Sequence, residues 1–136
     1  MIYLDSCICI YAVEQKSRFH TAVLAALSQE PQARFAISHL VMAECLIGSI
    51  KSCNSFVVQD FEALFSRTIV LDLPEAVYRQ AAQIRAMSAL KMPDALHLAC
   101  AQFHNCDSLW TNDDRLNQIG GKLVRSLFQV KLLGHV

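Results

Sequence analysis

Apolar positions come in short blocks that alternate between strand-like runs and helical stripes. Ile2-Tyr3-Leu4 opens as a strand and Asp5 closes it. Cys7 to Val13 is apolar almost throughout, and periodicity alone leaves helix and strand both open there. From Phe19 to Leu27 the residues Ala22, Val23, Ala26 and Leu27 share a helical face, with an end expected near Pro31. Arg34-Phe35-Ala36-Ile37 predicts a second strand. Ser38 then suits the cap of a helix whose stripe runs through Leu40, Val41, Glu44, Ile47 and Gly48. Phe56, Val57, Phe61, Leu64 and Phe65 recur at helical spacing over 55–66, and Thr68 to Leu71 predicts a third strand. Pro74 opens a longer helix with Val77, Ala81, Ile84 and Met87 inward and Arg79, Gln83 and Arg85 outward. Pro93 starts another, apolar nearly all round through Leu96, Leu98, Ala99, Cys100, Ala101 and Phe103. Ser108 to Thr111 and Leu123 to Leu127 predict the last two strands, flanking a short helix from Asp113 to Ile119 that Gly120-Gly121 stops.

Strands alternating with helices imply an α/β fold, a doubly wound parallel sheet with helices on both faces. The chain shows no repeat, linker or low-complexity segment, so residues 1–136 are expected to form a single domain. The tail Gln129–Val136 fits neither pattern. A hydrophobic share of 54% against 18% charged describes an apolar globule and hints at a partner surface. Formal net charge is zero, so any site for a polyanion has to be a local patch. The six cysteines include no CxxC pair and no zinc-type spacing, and most lie inside apolar runs. They are expected to be reduced and structural, which fits a cytoplasmic protein. No basic leader precedes an apolar stretch, and no apolar run approaches the ~18 residues that span a membrane.

The candidate chemistry lies in acids at the ends of elements. Asp5 ends the first strand, Asp113 follows the fourth by two residues, and Asp94 stands in the first turn of the helix leading into the fourth. In open parallel sheets ligands bind beyond the carboxyl ends of the strands, so these three are expected at one edge. Each also has an ordinary reading, as turn former (Asp5) or helix cap (Asp94, Asp113). Glu44 is different, because its neighbours at three and four residues are apolar and a carboxylate there is costly unless paired or metal-bound. Close carboxylates repel by several kcal/mol per pair at an effective dielectric near 20. A cluster of them suits a hard cation, and oxygen-only donors suit Mg²⁺ or Mn²⁺. The reaction class that follows is metal-assisted hydrolysis of a phosphodiester.

The runs YLDSCICIYAVE, AISHLVMAE, KMPDALHLACA and LWTNDDRL, in this order from residue 2 to about 127, resemble the PIN domain. Within it they are most similar to the VapC-type toxins of bacterial toxin–antitoxin pairs. The resemblance implies a Mg²⁺- or Mn²⁺-dependent endoribonuclease whose acidic residues are Asp5, Glu44, Asp94 and Asp113, with Asp113 preferred over its neighbour Asp114. It also implies that Ser6 and Thr111 orient carboxylates or waters. Cys7 stands where many relatives carry Asn or Ser. His97, one turn beyond Asp94, is read as a packed or hydrogen-bonded histidine.

RNA binding needs positive charge beside the acids, and Lys91 and Arg115 flank two of them. The family implies cleavage of transfer or ribosomal RNA at single-stranded loops, where bases are accessible. It further implies a homodimer and a cognate antitoxin whose C-terminal segment covers the site; the apolar residues of helix 19–29 and segment 55–66 are the expected docking surface. Two other functions fit the same chain: a PIN nuclease of RNA processing without an antitoxin, and a catalytically silent protein-binding module. A phosphotransferase using Asp5 as nucleophile fits less well, since that chemistry wants a second Asp where Cys7 stands.

Overall fold

The computed structural model describes residues 1–127. Its centre is β1 (Ile2–Leu4), whose three residues are all buried because neighbours flank it on both sides and helices cover both faces. The Cys7–Val13 run resolves as helix: α1 (Ser6–Val13) starts directly behind Asp5, whose carboxylate accepts the Ser6 N–H and caps it. Then come α2 (His20–Ser28), β2 (Phe35–Ser38), α3 (His39–Lys51), α4 (Ser55–Phe65) and β3 (Ile69–Leu71). Ser38 caps α3 as expected, accepting the Val41 N–H. The chain then passes through α5 (Glu75–Ala86) and α6 (Met92–Phe103) into β4 (Ser108–Thr111). It finishes with α7 (Asp114–Gly120), a 3-10 turn at Gly121–Leu123, and β5 (Val124–Ser126).

All pairings are parallel, in the strand order β3-β2-β1-β4-β5. The doubly wound expectation is therefore met. The winding runs outward from β1 through β2 to β3, then jumps back to β4 and continues to β5. Helices α1 to α4 pack with one another, as do α5 to α7, so each half of the winding supplies its own helical layer. The reversal falls between β1 and β4, the place where such sheets open a crevice at their carboxyl ends.

Three packing details differ from the periodicity. The inward face of α3 is Val41, Cys45 and Ser49, so Ile47 (53% exposed) and Gly48 turn outward and Glu44 sits at the margin of the buried face. Met87 lies beyond the last turn of α5 and is almost fully exposed, while Val77 and Ala81 are buried as expected. Phe103, at the end of α6, is also largely outside, although Ala95 through Ala101 are buried without a break. The tail 129–136 lies outside the described residues. Among the described residues no helix is long and apolar enough to cross a membrane.

Candidate active site

A cleft of about 470 Å³ opens at the carboxyl ends of β1 and β4. Asp5, Asp94 and Asp113 line it together with Asp114, Ser6, Cys7, Tyr11, Asn112 and Arg115. Three different pieces of local structure supply the three acids. Asp5 is the residue between β1 and α1, held to the neighbouring strand by its own N–H to the Trp110 carbonyl at 3.0 Å. Asp113 is the N-cap of α7 and accepts the Arg115 N–H at 2.9 Å. Asp94 is in the first turn of α6, whose N-cap is Lys91, so Asp94 is not the cap of its helix. Asp5 and Asp113 are thus both helix N-caps, and capping is compatible with the cleft, because each carboxylate oxygen that accepts one hydrogen bond keeps a second lone pair.

Thr111 ties the two strand ends together. Fully buried, it donates its hydroxyl to Asp5 Oδ2 at 2.8 Å and accepts the Asp113 N–H at 3.0 Å. Ser6 lines the cleft and steadies Asp5 Oδ1 through its backbone N–H at 2.7 Å. Asp94 shows the electrostatic result of the clustering. Its pKa is raised above 3.8, first by burial and then by the charges of Asp5 and Asp113, with His97 and Arg115 opposing. Arg115 lies over Asp113, its Nε 3.5 Å from Oδ1. Lys91, at the start of α6, is exposed and does not line the cleft.

Glu44 reaches the group from the side. It is absent from the cleft lining and hydrogen-bonds His97, with Nε2 2.6 Å from Oε1. The same Nε2 lies 3.7 Å from Asp5 Oδ1, and Tyr3 holds Nδ1 at 2.7 Å. Burial alone would lower the His97 pKa, but its bond to Glu44 and the charges of Asp5, Glu44 and Asp94 lift it above 6.5. Asp5, Glu44 and His97 offer ligand atoms that all lie within 4.8 Å of one another. Oxygen donors dominate the donor set as a whole, and the mutual repulsion of the carboxylates is opposed by His97 on one side and by Arg115 at the rim. This donor chemistry fits a hard divalent ion.

The expectation for His97, a packed and hydrogen-bonded ring, is what the structure shows. Tyr11 and Asn112 were not anticipated in the cleft. Asn112 was legible in principle, since it sits between Thr111 and Asp113, whereas Tyr11 becomes a neighbour only once residues 6–13 are known to be helical. Cys7 also lines the cleft. Its sulfur lies 3.7 Å from Asp5 Oδ2, and burial followed by the Asp5 charge pushes the thiol up to about 12. All six cysteines are free thiols. At pH 7.5 iodoacetamide should therefore modify the exposed Cys53 and leave Cys7 intact, because only a thiolate attacks at a useful rate. Peptide mass mapping after brief labelling checks this, and rapid alkylation of Cys7 in the folded protein would contradict it.

The fold recurs in solved structures. A toxin–antitoxin complex from Klebsiella pneumoniae contains a chain with TM-score 0.74 and 23% identity, covering 93% of this chain and 98% of that one. VapBC2 from Rickettsia felis bound to a DNA fragment from its promoter gives TM-score 0.73 at 23% identity, over 92% and 98%. Mycobacterium tuberculosis VapC20, a sarcin–ricin loop cleaving toxin, gives TM-score 0.76 at 14% identity, over 88% and 95%. At these identities the likeness speaks for the fold. No curated protein sequence matches the chain significantly. The family model for the PIN domain matches residues 2–122, which include every acid described above, and the chain belongs to the PIN domain family.

Proposed function

We propose that this protein is a divalent-metal-dependent endoribonuclease, the toxin of a toxin–antitoxin pair. The observation that carries the reading is the convergence of Asp5, Asp94 and Asp113 on one cleft at the point where the sheet winding reverses. Family membership and the toxin chains among the similar folds support it. Asp5, Asp94 and Asp113 would hold Mg²⁺ or Mn²⁺, with Glu44 completing the set from the His97 side. Such an ion polarises a phosphodiester and lowers the pKa of bound water. The protein's own contribution is alignment. Thr111 and the Ser6 N–H lock both oxygens of Asp5, and the α7 cap orients Asp113.

Arg115 at the cleft rim would meet a phosphate, with Lys91 acting as a more distant electrostatic guide on the exposed start of α6. The substrate would be a single-stranded loop of a transfer or ribosomal RNA, met in the cytoplasm. The antitoxin would dock on the groove between α1, α2 and α4. Ala12, Val13, Leu24, Leu27 and Leu64 line a second cavity there of about 410 Å³, and Leu24 is 44% exposed. The working form would be a homodimer.

The test is RNA cleavage with and without metal. Labelled structured RNA should be cut with Mg²⁺ or Mn²⁺ and left intact in EDTA, with cutting restored by excess Mn²⁺. Absence of cleavage with either ion, on transfer and ribosomal RNA alike, would turn attention to a catalytically silent binding module.

A further inference from the structure

A continuous hydrogen-bond chain runs through the core and ends on Glu44. Val41 donates its N–H to Ser38 Oγ at 3.4 Å, and Ser38 Oγ lies 2.8 Å from the Tyr3 hydroxyl. Tyr3 in turn lies 2.7 Å from His97 Nδ1, and His97 Nε2 lies 2.6 Å from Glu44 Oε1. Tyr3 and Ser38 are completely buried and His97 is 1% exposed, so water does not compete along the chain. A carboxylate offers only acceptors, hence Nε2 carries a hydrogen. The four side chains in it come from four elements: Tyr3 from β1, Ser38 from the end of β2, Glu44 from α3 and His97 from α6. The sheet and both helical layers thereby set the position of one side chain.

We infer that His97 is a positioning residue: through its Nε2–H it holds Glu44 beside Asp5, fixed from behind by Tyr3 and the α3 cap. The inference rests on the metal-nuclease reading above. Three features support it. Glu44 is partly exposed (29%) on the margin of α3, where a free Glu would extend into water, yet it points inward to His97. Nε2 also sits 3.7 Å from Asp5 Oδ1, so one ring spaces two repelling carboxylates. And the ring's two nitrogens have separate tasks, Nδ1 toward the core and Nε2 toward the acids. Outer partners of this kind typically govern ligand orientation, and their loss costs about 10–100-fold in metal affinity.

The experiment compares His97→Gln with His97→Asn in the full chain, with Mn²⁺ as the probe and its free EPR signal as readout, without RNA. The Gln amide nitrogen reaches the position of Nε2 and retains the donor to Glu44. The Asn amide ends near Nδ1 and retains the Tyr3 bond only. Asn is one methylene shorter and leaves a small cavity at this buried position, so affinities are compared on folded protein well below both melting temperatures, and the double variant with Glu44 separates packing from the lost bond. The expected result is Mn²⁺ affinity within about 3-fold of wild type for Gln and about 10–100-fold weaker for Asn. Adding Glu44→Gln to His97→Asn should weaken binding little beyond Glu44→Gln alone, since both act through one carboxylate. Equal affinities for Gln, Asn and wild type would overturn the inference, and so would equal losses. Directly coordinated ¹⁴N in the pulsed EPR of the wild-type Mn²⁺ complex would overturn it too, by making His97 a ligand. A wild type that binds no Mn²⁺ would instead refute the metal reading itself, and the inference with it.

Discussion

Asp5→Asn is expected to lower RNA cleavage by about 10²–10³-fold, the scale of losing one preorganised electrostatic contact to a transition state. The substitution removes one negative charge at nearly constant volume, and the geometry limits what else changes. Asp5 caps α1, accepts the Ser6 N–H, and accepts the Thr111 hydroxyl. Asn keeps one acceptor, which suits Ser6. Its amide then faces Thr111 Oγ1, which already accepts the Asp113 N–H and must turn its own proton elsewhere. A stability cost of about 1 kcal/mol follows from that one weakened bond. Chemical denaturation fixes this cost, and cleavage should be compared well below the variant's melting temperature. Cleavage within a few-fold of wild type by a folded variant would remove Asp5 from the chemistry.

This stability cost marks one limit of reading the chain without its fold. A near-isosteric change at an acid after a strand looks harmless until Thr111, more than a hundred positions away, turns out to be hydrogen-bonded to it. The elements themselves were largely legible. Short apolar strands bounded by caps and prolines have local causes, so Ser38 and Pro93 mark helix starts with no help from tertiary contacts. The three aspartates were legible for a related reason: strand ends are local, and a parallel sheet brings its carboxyl edges together. Glu44 was legible only as an anomaly. Its placement depends on His97, and that pairing spans 53 positions and two helices. The inward face of α3 was misjudged for the same reason. Ile47 looks like core, but the core ends at Cys45 and Ser49 and leaves that turn of helix outside.

Asp94→Asn should produce the opposite pairing of effects, losing cleavage by a similar factor while making the metal-free protein more stable. Asp94 is raised above 3.8 because burial and the charges of Asp5 and Asp113 disfavour its ionised form. The sign follows from linkage. With a folded pKa above the unfolded one, the native state binds more protons, so this group's favourable contribution is present below the unfolded pKa and is lost as pH rises through the folded one. At neutral pH the ionised Asp94 therefore destabilises the metal-free fold, and neutral Asn relieves it. The expected gain is read as a higher melting temperature for the variant than for wild type in EDTA. Wild type should lose stability relative to the variant as pH rises and Asp94 ionises. Mn²⁺ should reverse the ranking at pH 7, because a ligand that binds only the folded state stabilises it, and the variant has lost part of that binding. Thermal melts of both proteins, in EDTA and in Mn²⁺ across pH, read all of this in one series. A variant less stable than wild type in EDTA would mean that Asp94 makes a structural contribution larger than its repulsion. Equal Mn²⁺ stabilisation of both proteins would remove it from the ligand set. The two aspartates, equal in charge and lining one cleft, are thus separated by the sign of their stability effect. Asp5 is held by donors on both oxygens, whereas Asp94 stands in a helix turn where its largest electrostatic neighbours are other acids.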